Sequence, residues 1–390
     1  GWLSMLGTIF TRLLKMIIIP MIVGSLIVGA SSVSPANIGK VGIRIIVIYL
    51  ITSAIGVTIG LIMGIIFQPN AGLTAVEALA ANAAGKTASG FSWSTLTDIV
   101  PTSVLTSLVN ETVLQVIFFT LLFGICLSYL KVSKDERISK AANTMYEIFD
   151  CLTEIMMMIV RGIMQYAPIG VFVLMAEVIA KNGPKVIGSL GIVTIACFLG
   201  YAIHIVLVYG GLLKMYKIKI GPFFKEARTP FITAFVTRSS NGTLPTTMQA
   251  AENLGIDKEV YAFSLPLGAT INMDGTAIYQ GVCAFFLVLS VYGRGLTGGE
   301  LGLMILLATL ASIGTAGVPG AGAVMLAMCM QGLQMPIEPG TTMAGAYAMI
   351  LCVDAILDMG RTALNVTGDL TCTACVAKKL GYIKEDSILK

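Results

Sequence analysis

Charge is scarce in this sequence. Of its 390 residues only 12% are Asp, Glu, Lys or Arg, against 56% that are hydrophobic, whereas a soluble domain carries about 25% charged residues. A single soluble core stops growing beyond roughly 250–300 residues, so lipid rather than water is the solvent that suits this much apolar sequence. Histidine is nearly absent: His204 is the only one, set in the apolar run YAIHIVLVY, where it reads as a packed or interfacial residue. One histidine cannot build a His-rich metal site, and it removes most hydrolase schemes. The formal charge of +4 is small and dispersed, which speaks against a nucleic-acid partner. Eight cysteines are present, nearly all within apolar runs, where cysteine behaves as a small hydrophobe. Cys372 and Cys375 form a CxxC, but its flanks resemble neither a zinc nor a redox motif. An initiator methionine is lacking as well: Gly1 leads almost at once into an apolar segment, and a missing N-terminal piece is expected.

A membrane helix needs about 20 predominantly apolar residues. Such stretches lie near 13–33, 43–67, 112–130, 153–180, 186–213, 260–292, 301–335 and 340–377, with a long Ala/Gly/Asn/Ser-rich loop over 69–98. The reading is an all-α membrane protein, a multi-span helical bundle in the cell membrane. Alternating the connectors between two sides puts Lys40, Arg44, the 131–140 run, the 214–228 stretch, Lys258 and the C-terminal lysines on one side. The other side holds only Lys86, Lys181, Lys185 and Arg294, so the crowded side is cytoplasmic. That asymmetry survives only if 231–257 and 301–335 enter and leave on one face. Both are broken in the middle, at Arg238–Pro245 and at Ser312–Gly322. Irregular backbone at membrane depth is tolerated only where protein or a water-filled cavity surrounds it. Paired broken hairpins of this kind indicate inverted repeats around a transporter's binding site; the other reading is a pair of surface helix–turn–helix connectors.

The last span carries Asp354, Asp358, Arg361, Asn365 and Asp369, spaced 4, 3, 4 and 4. At 3.6 residues per turn they fall within an arc of about 80°. A charge at mid-bilayer costs about 2.5–3.5 kcal/mol on insertion scales, so the stripe must face protein, water or ligand. Asp358 and Arg361 either form a structural i,i+3 ion pair or bind solute: the Arg361 fork matches a carboxylate and Asp358 an ammonium, a pairing suited to a zwitterion with an additional carboxylate. Asp369 is a hard oxygen ligand for an alkali cation. Asn272-Met273-Asp274-Gly275-Thr276 interrupts the span 260–292, freeing carbonyls, and Asp274 has no basic partner in its own segment. It holds a cation, keeps its proton, or pairs across the bundle. A channel and an intramembrane aspartyl enzyme are the rival classes. A pore needs no closed pocket with both an ammonium partner and a carboxylate fork, and Arg361 beside Asp358 opposes a shared-proton dyad.

Six segments carry a resemblance: TRSSNGTLP at 237–245, SLPLGATINMDGTAIYQG at 264–281, ASIGTAGVPGAG at 311–322, DAILDMGRTALNVTGDL at 354–370, IYLITSA at 48–54 and RLLKMIIIPMIVGSLIVGA at 12–30. Together they resemble the dicarboxylate/amino acid:cation symporter family, which includes excitatory amino acid transporters and archaeal aspartate transporters. The resemblance implies a sodium-coupled symporter of aspartate or glutamate, not an enzyme, working as a homotrimer by an elevator motion. Neutral amino acids or C4-dicarboxylates, and protons in place of sodium, are the alternatives. By that likeness 1–38 and 91–180 are scaffold, 39–68 and 181–390 the moving domain, and 69–90 the extracellular linker. Substrate would meet Ser240, Val318 and Gly322 at the hairpin tips, with Thr276, Asp358, Arg361, Thr362 and Asn365 completing the pocket. Three Na+ sites would follow: backbone at Gly268, Asn272 and Asn365 with the Asp369 carboxylate; backbone at Thr270, Ser312, Ile313 and Thr315; and Tyr49, Thr52 and Ser53 with Asn272 and Asp274. Arg238 and Met359 resemble the archaeal arrangement, while Asn241 stands where a small serine-like residue is more usual, and by the resemblance a first helix is expected to precede residue 1.

Overall fold

The computed structural model describes residues 2–32, 41–71, 97, 99–183, 186–313, 317, 319–384 and 387–389. Within them the regular structure is helical, apart from an isolated antiparallel bridge between Ile256 and Ile383. In chain order come α1 (Trp2–Met16), α2 (Ile18–Ser32), α3 (Ile43–Phe67), α4 (Val104–Val109), α5 (Val113–Lys131), α6 (Glu136–Asn182) and α7 (Val186–Ile203). A π-helical turn, His204–Tyr209, leads into α8 (Gly210–Met215). Then follow α9 (Ile220–Thr237), α10 (Ser240–Asn253), α11 (Lys258–Ile271), α12 (Asp274–Tyr292), α13 (Gly298–Ser312), α14 (Ala321–Gly332) and α15 (Thr342–Leu380).

Among the described residues seven helical stretches are long and apolar enough to cross a membrane: Met5–Ser31, Ile43–Phe67, Val113–Lys131, Glu136–Ala180, Ile187–Met215, Lys258–Tyr292 and Thr342–Leu380. Their outer faces stay apolar: Met158 and Phe172 are 71% exposed, and Val206 and Leu207 68%. In water such a surface would aggregate; against acyl chains it costs nothing. The chain is a multi-pass membrane protein.

Two layers of packing position the interior. On one side α1 lies against α6 and α2 against α5. On the other, α3 runs along α12, which packs on α15. Glycine makes that contact close. A Cβ on Gly281 would stand 2.8 Å from the Val57 carbonyl oxygen, and one on Gly56 2.9 Å from that of Asp274. Small residues are what let membrane helices approach backbone to backbone.

Two helix pairs fold back on themselves: α9 with α10, both of which rest on α15, and α13 with α14, where α13 packs on α3 and α12 and α14 on α12 and α15. The first break is narrower than the polar run 238–245 predicts. Only Arg238, at φ 54°, and Ser239 lie between the helices. Ser239 is the N-cap of α10, its hydroxyl accepting from the Gly242 amide at 3.0 Å, so Asn241, Gly242 and Pro245 continue as helix. The second pair opens with a capping box, Thr297 with Glu300, and turns at Gly320, whose φ of +87° favours glycine. The tips touch. Gly317 O accepts from Ser239 Oγ at 2.9 Å and from the Asn241 amide at 3.4 Å.

Candidate functional site

The polar stripe of α15 faces inward. Asp354, Asp358, Arg361, Asn365 and Asp369 are all at most 3% exposed, while Ile356 on the far side is 52% exposed. Arg361 donates from Nε to Asp358 Oδ1 at 2.9 Å and from Nη1 to Asp354 Oδ1 at 2.8 Å. Its guanidinium carbon sits 4.5 Å from the Tyr279 ring centroid, a cation–π contact. Thr362 donates to Asp358 Oδ1 at 3.1 Å. Two buried atoms of this group have no hydrogen-bond partner: Arg361 Nη2 and Asp358 Oδ2. A buried donor and a buried acceptor left unmade each cost about 1–3 kcal/mol, more for charged groups.

Around the pair the sequence-derived pocket residues converge. Gly322, in the first turn of α14, lies flat on the guanidinium; a Cβ there would be 2.6 Å from Arg361 Cζ. The first turn of α12 packs so tightly on α15 that a Cβ on Gly275 would collide with the Arg361 backbone. Asn365 Oδ1 accepts from the Gly275 amide at 2.7 Å, and its Nδ2 donates to Thr276 Oγ1 at 3.3 Å. Ser240, 2% exposed, starts α10 beside Gly317, whose Cβ would be 2.9 Å from that of Ser240. Val318 lies outside the described residues. The N-terminus of α14 therefore ends at this group, while that of α10 ends at the facing hairpin tip beside Gly317, and helix N-termini favour anions.

The break between α11 and α12 assembles a second cluster. Asp274 Oδ1 accepts from Ser53 Oγ at 2.8 Å, and Thr52 Oγ1 lies 3.3 Å from Asn272 Oδ1. Tyr49 donates to the Ser264 carbonyl at 3.0 Å, so its phenol ties α3 to α11. Asn272 Nδ2 donates to Asp369 Oδ1 at 3.0 Å. A Cβ on Gly268 would stand 2.6 Å from Asp369 Oδ1 and 2.7 Å from the Tyr49 hydroxyl, so only glycine leaves the carboxylate room. These hydroxyl, amide, carbonyl and carboxylate oxygens are hard ligands, the set that suits hard cations. The structure brings together Tyr49, Thr52, Ser53, Gly268, Asn272, Asp274, Asn365 and Asp369. The third group is expected to act through its backbone; the hydroxyls of Thr270 and Ser312 bond within their own helices, to Leu267 O at 2.9 Å and Thr309 O at 2.7 Å. Of that third group Ile313 ends the described part of the turn, and Thr315 lies outside the described residues.

Comparison with known proteins settles the class. The model of the sodium:dicarboxylate symporter family matches residues 1–379. This chain belongs to that family. Among relatives, the symporter family member from Geobacillus stearothermophilus named proton/sodium-glutamate symport protein is 31% identical, covering 99% of this chain and 89% of its own. The protein of that name from Bacillus subtilis (strain 168) is 32% identical over 97% and 86%. Human excitatory amino acid transporter 2 is 31% identical over 93% and 71%. The protein is accordingly a membrane symporter and not an enzyme.

Three partners in this symporter's interior escaped the sequence reading. Asp354 was visible in the α15 stripe but had no role; its position two turns before Arg361 was the available signal. His204, read as packed or interfacial, is fully buried with Nε2 3.4 Å from Asp274 Oδ2, and Tyr209 donates to the same oxygen at 2.7 Å. Nothing in the sequence near Asp274 pointed to either, since α7 and the π-turn are some seventy residues upstream.

Proposed function

We propose that this chain is a sodium-coupled symporter of acidic amino acids, aspartate or glutamate. The observation that carries the reading is the pair of unpartnered atoms on one buried stripe, Arg361 Nη2 and Asp358 Oδ2. Guanidinium N–H groups match a substrate carboxylate, and a carboxylate oxygen matches an ammonium. An amino acid with a side-chain carboxylate satisfies both; a C4-dicarboxylate leaves Asp358 unmet, and a neutral amino acid leaves Arg361 unmet. A site built to hydrogen-bond a substrate group rejects the analogue that lacks it by far more than an apolar pocket can. Ser240, Thr276, Val318, Gly322, Thr362 and Asn365 surround the solute, with the helix N-termini at Ser240 and Ala321 adding positive potential.

Cation coupling follows from charge. Among the described residues, Asp274, Asp354, Asp358 and Asp369 are buried around this site against one buried guanidinium, Arg361; a further buried carboxylate, Glu300, is paired with Arg294 away from it. Adding a net anion to that set in a low-dielectric interior is unfavourable unless cations enter too. Sodium ligands are the oxygens of Tyr49, Thr52, Ser53, Asn272 and Asp274, and of Gly268, Asn272, Asn365 and Asp369, with Thr270, Ser312, Ile313 and Thr315 as a third group. The transport cycle is an elevator: residues 39–68 and 181–390 slide against 1–38 and 91–180, the loop 69–90 joins them, three copies share the scaffold, and the second hairpin gates the pocket.

The test is uptake of radiolabelled aspartate and glutamate into proteoliposomes under an inward sodium gradient. Uptake driven by sodium, competitive between the two acids and weak for alanine and succinate, is the expected result. Uptake that follows an imposed proton gradient and ignores sodium would replace sodium by proton coupling.

A further inference from the structure

Asp274 is held from two sides by groups of different kinds. Its Oδ1 accepts from Ser53 on α3 at 2.8 Å. Its Oδ2 accepts from the Tyr209 hydroxyl at 2.7 Å and lies 3.4 Å from His204 Nε2. His204 and Tyr209 are the first and last residues of the π-helical turn. In an unbroken α-helix residues five apart point about 140° from each other, so the two rings could not reach one oxygen. The i→i+5 closure of a π-turn brings them onto one side. Their ring centroids are 4.8 Å apart at 85°, an edge-to-face contact that fixes both orientations. The outward residues of the same turn, Val206 and Leu207, are 68% exposed, so the turn presents lipid with an apolar face and Asp274 with a polar one.

Two more features fit this geometry. The Tyr209 hydroxyl lies where a side chain on residue 368 would be, and only glycine there admits it; a Cβ on Gly368 would also stand 2.8 Å from Asn272 Nδ2. Both His204 ring nitrogens are buried and lack a hydrogen-bond partner, an arrangement that packing alone does not call for.

We infer that the π-turn is the device that aims the Asp274 carboxylate, and that Tyr209 and His204 are positioning residues that set how tightly the cation is held by Asp274, Ser53, Thr52 and Asn272. The inference rests on the sodium reading above. With Oδ2 held by the Tyr209 hydroxyl and His204 Nε2 standing 3.4 Å from it, Oδ1 stays turned toward Ser53 on α3. Release from the rings lets the carboxylate rotate about its own bonds, and a cation must then pay for re-ordering it.

The experiment measures half-saturating sodium for aspartate uptake in Tyr209→Phe, His204→Leu and His204→Gln, alongside the aspartate KM at saturating sodium. Tyr209→Phe, which keeps the ring and removes only the donor, should raise half-saturating sodium at least about tenfold, about 1.4 kcal/mol of cation binding, with the aspartate KM at saturating sodium within about twofold. His204→Leu should do the same, and His204→Gln, which restores an amide near the Nε2 position, should recover most of the loss. A readout independent of transport is the rise of melting temperature with added sodium in detergent, whose onset should move to higher sodium in the first two variants while the sodium-free melting temperature holds. Unchanged half-saturating sodium in Tyr209→Phe and His204→Leu, with a sodium-dependent parent, overturns the inference and leaves the sodium reading standing. A parent indifferent to sodium overturns both.

Discussion

At the scale of single residues the site is a matter of which atoms are already spoken for. Arg361 is held by Asp358 and Asp354 within its own helix, so its orientation does not depend on bound solute, and Nη2 is the atom left over. Gly322 sets the spacing between α14 and that guanidinium. Gly322→Ala should raise the aspartate KM by about tenfold or more, because the new methyl displaces Arg361 Cζ, which a Cβ would meet at 2.6 Å. Gly302→Ala, with nothing within 4 Å of its Cβ, should leave KM unchanged and stabilise slightly, since alanine in a helix outranks glycine by about 1 kcal/mol. Uptake kinetics on the two variants check the contrast. Gly275→Ala meets backbone rather than a movable side-chain tip, and overpacking of that sort costs about 1–3 kcal/mol; it should lower the melting temperature even without substrate. The stripe on α15 was legible in the sequence because a charged residue inside an apolar helix has few tolerable directions. Its internal pairing was not, because spacing places Asp354 and Arg361 on one face without saying which oxygen takes which N–H.

At the scale of elements, ends and connections decide. α13 begins with Thr297 accepting from the Glu300 amide at 3.4 Å, while the Glu300 carboxylate takes the Thr297 amide at 2.7 Å and both Arg294 terminal nitrogens at 2.7 and 2.8 Å. Burial alone pushes the Glu300 carboxyl up; the bonds from Arg294 and Thr297 outweigh it and leave the group below the usual carboxylate range. A carboxyl lowered on folding stabilises at pH values above its ordinary pKa, about 4.3, and that contribution is lost as pH falls through the lowered folded value. Glu300→Gln should therefore lower the melting temperature at pH 7 and flatten its decline between pH 5 and the acid limit, read by melting curves across that range. Elsewhere Lys15 on α1 reaches Glu338, in the segment between α14 and α15, at 2.6 Å, and Glu111 at 3.8 Å, with Gln331 donating to Glu111 at 2.5 Å. These groups are part exposed, so the pair contributes about 0.2–1 kcal/mol. Lys15→Glu should destabilise by about that amount and Glu338→Lys should restore it, a double-mutant cycle read by melting. The break between α11 and α12 was legible because Asn, Asp and Gly in succession interrupt an apolar helix. The arms α9 and α13 start earlier than the apolar pattern places them, at Ile220 and Gly298, because Lys225 and Arg228 lie on an exposed face of an amphipathic helix and a search for apolar runs begins after them. The π-turn left no mark at all, since HIVLVY satisfies any helical pattern.

At the scale of the whole molecule, apolar length and the shortage of charge were enough to specify a bundle in lipid, and seven spanning stretches agree with that. Contacts that join distant segments were beyond reach: between the π-turn with His204 and Tyr209 and the start of α12 at Asp274 lie α8, α9, α10 and α11. Among the described residues the site gathers four buried aspartates, Asp274, Asp354, Asp358 and Asp369, against the Arg361 guanidinium, so on the proposed cation coupling the protein should melt higher in sodium chloride than in choline chloride at equal ionic strength. A ligand at 100 times its Kd stabilises by about 2.7 kcal/mol, and Asp369→Asn should remove much of the difference. The most direct test of the recognition scheme is a comparison of labelled aspartate and labelled alanine binding to the parent and to Arg361→Cys in saturating sodium, with melting curves to verify folding. The account predicts that aspartate binding falls by about 100-fold or more while alanine binding holds or improves. Equal losses for the two amino acids in a folded variant would contradict it.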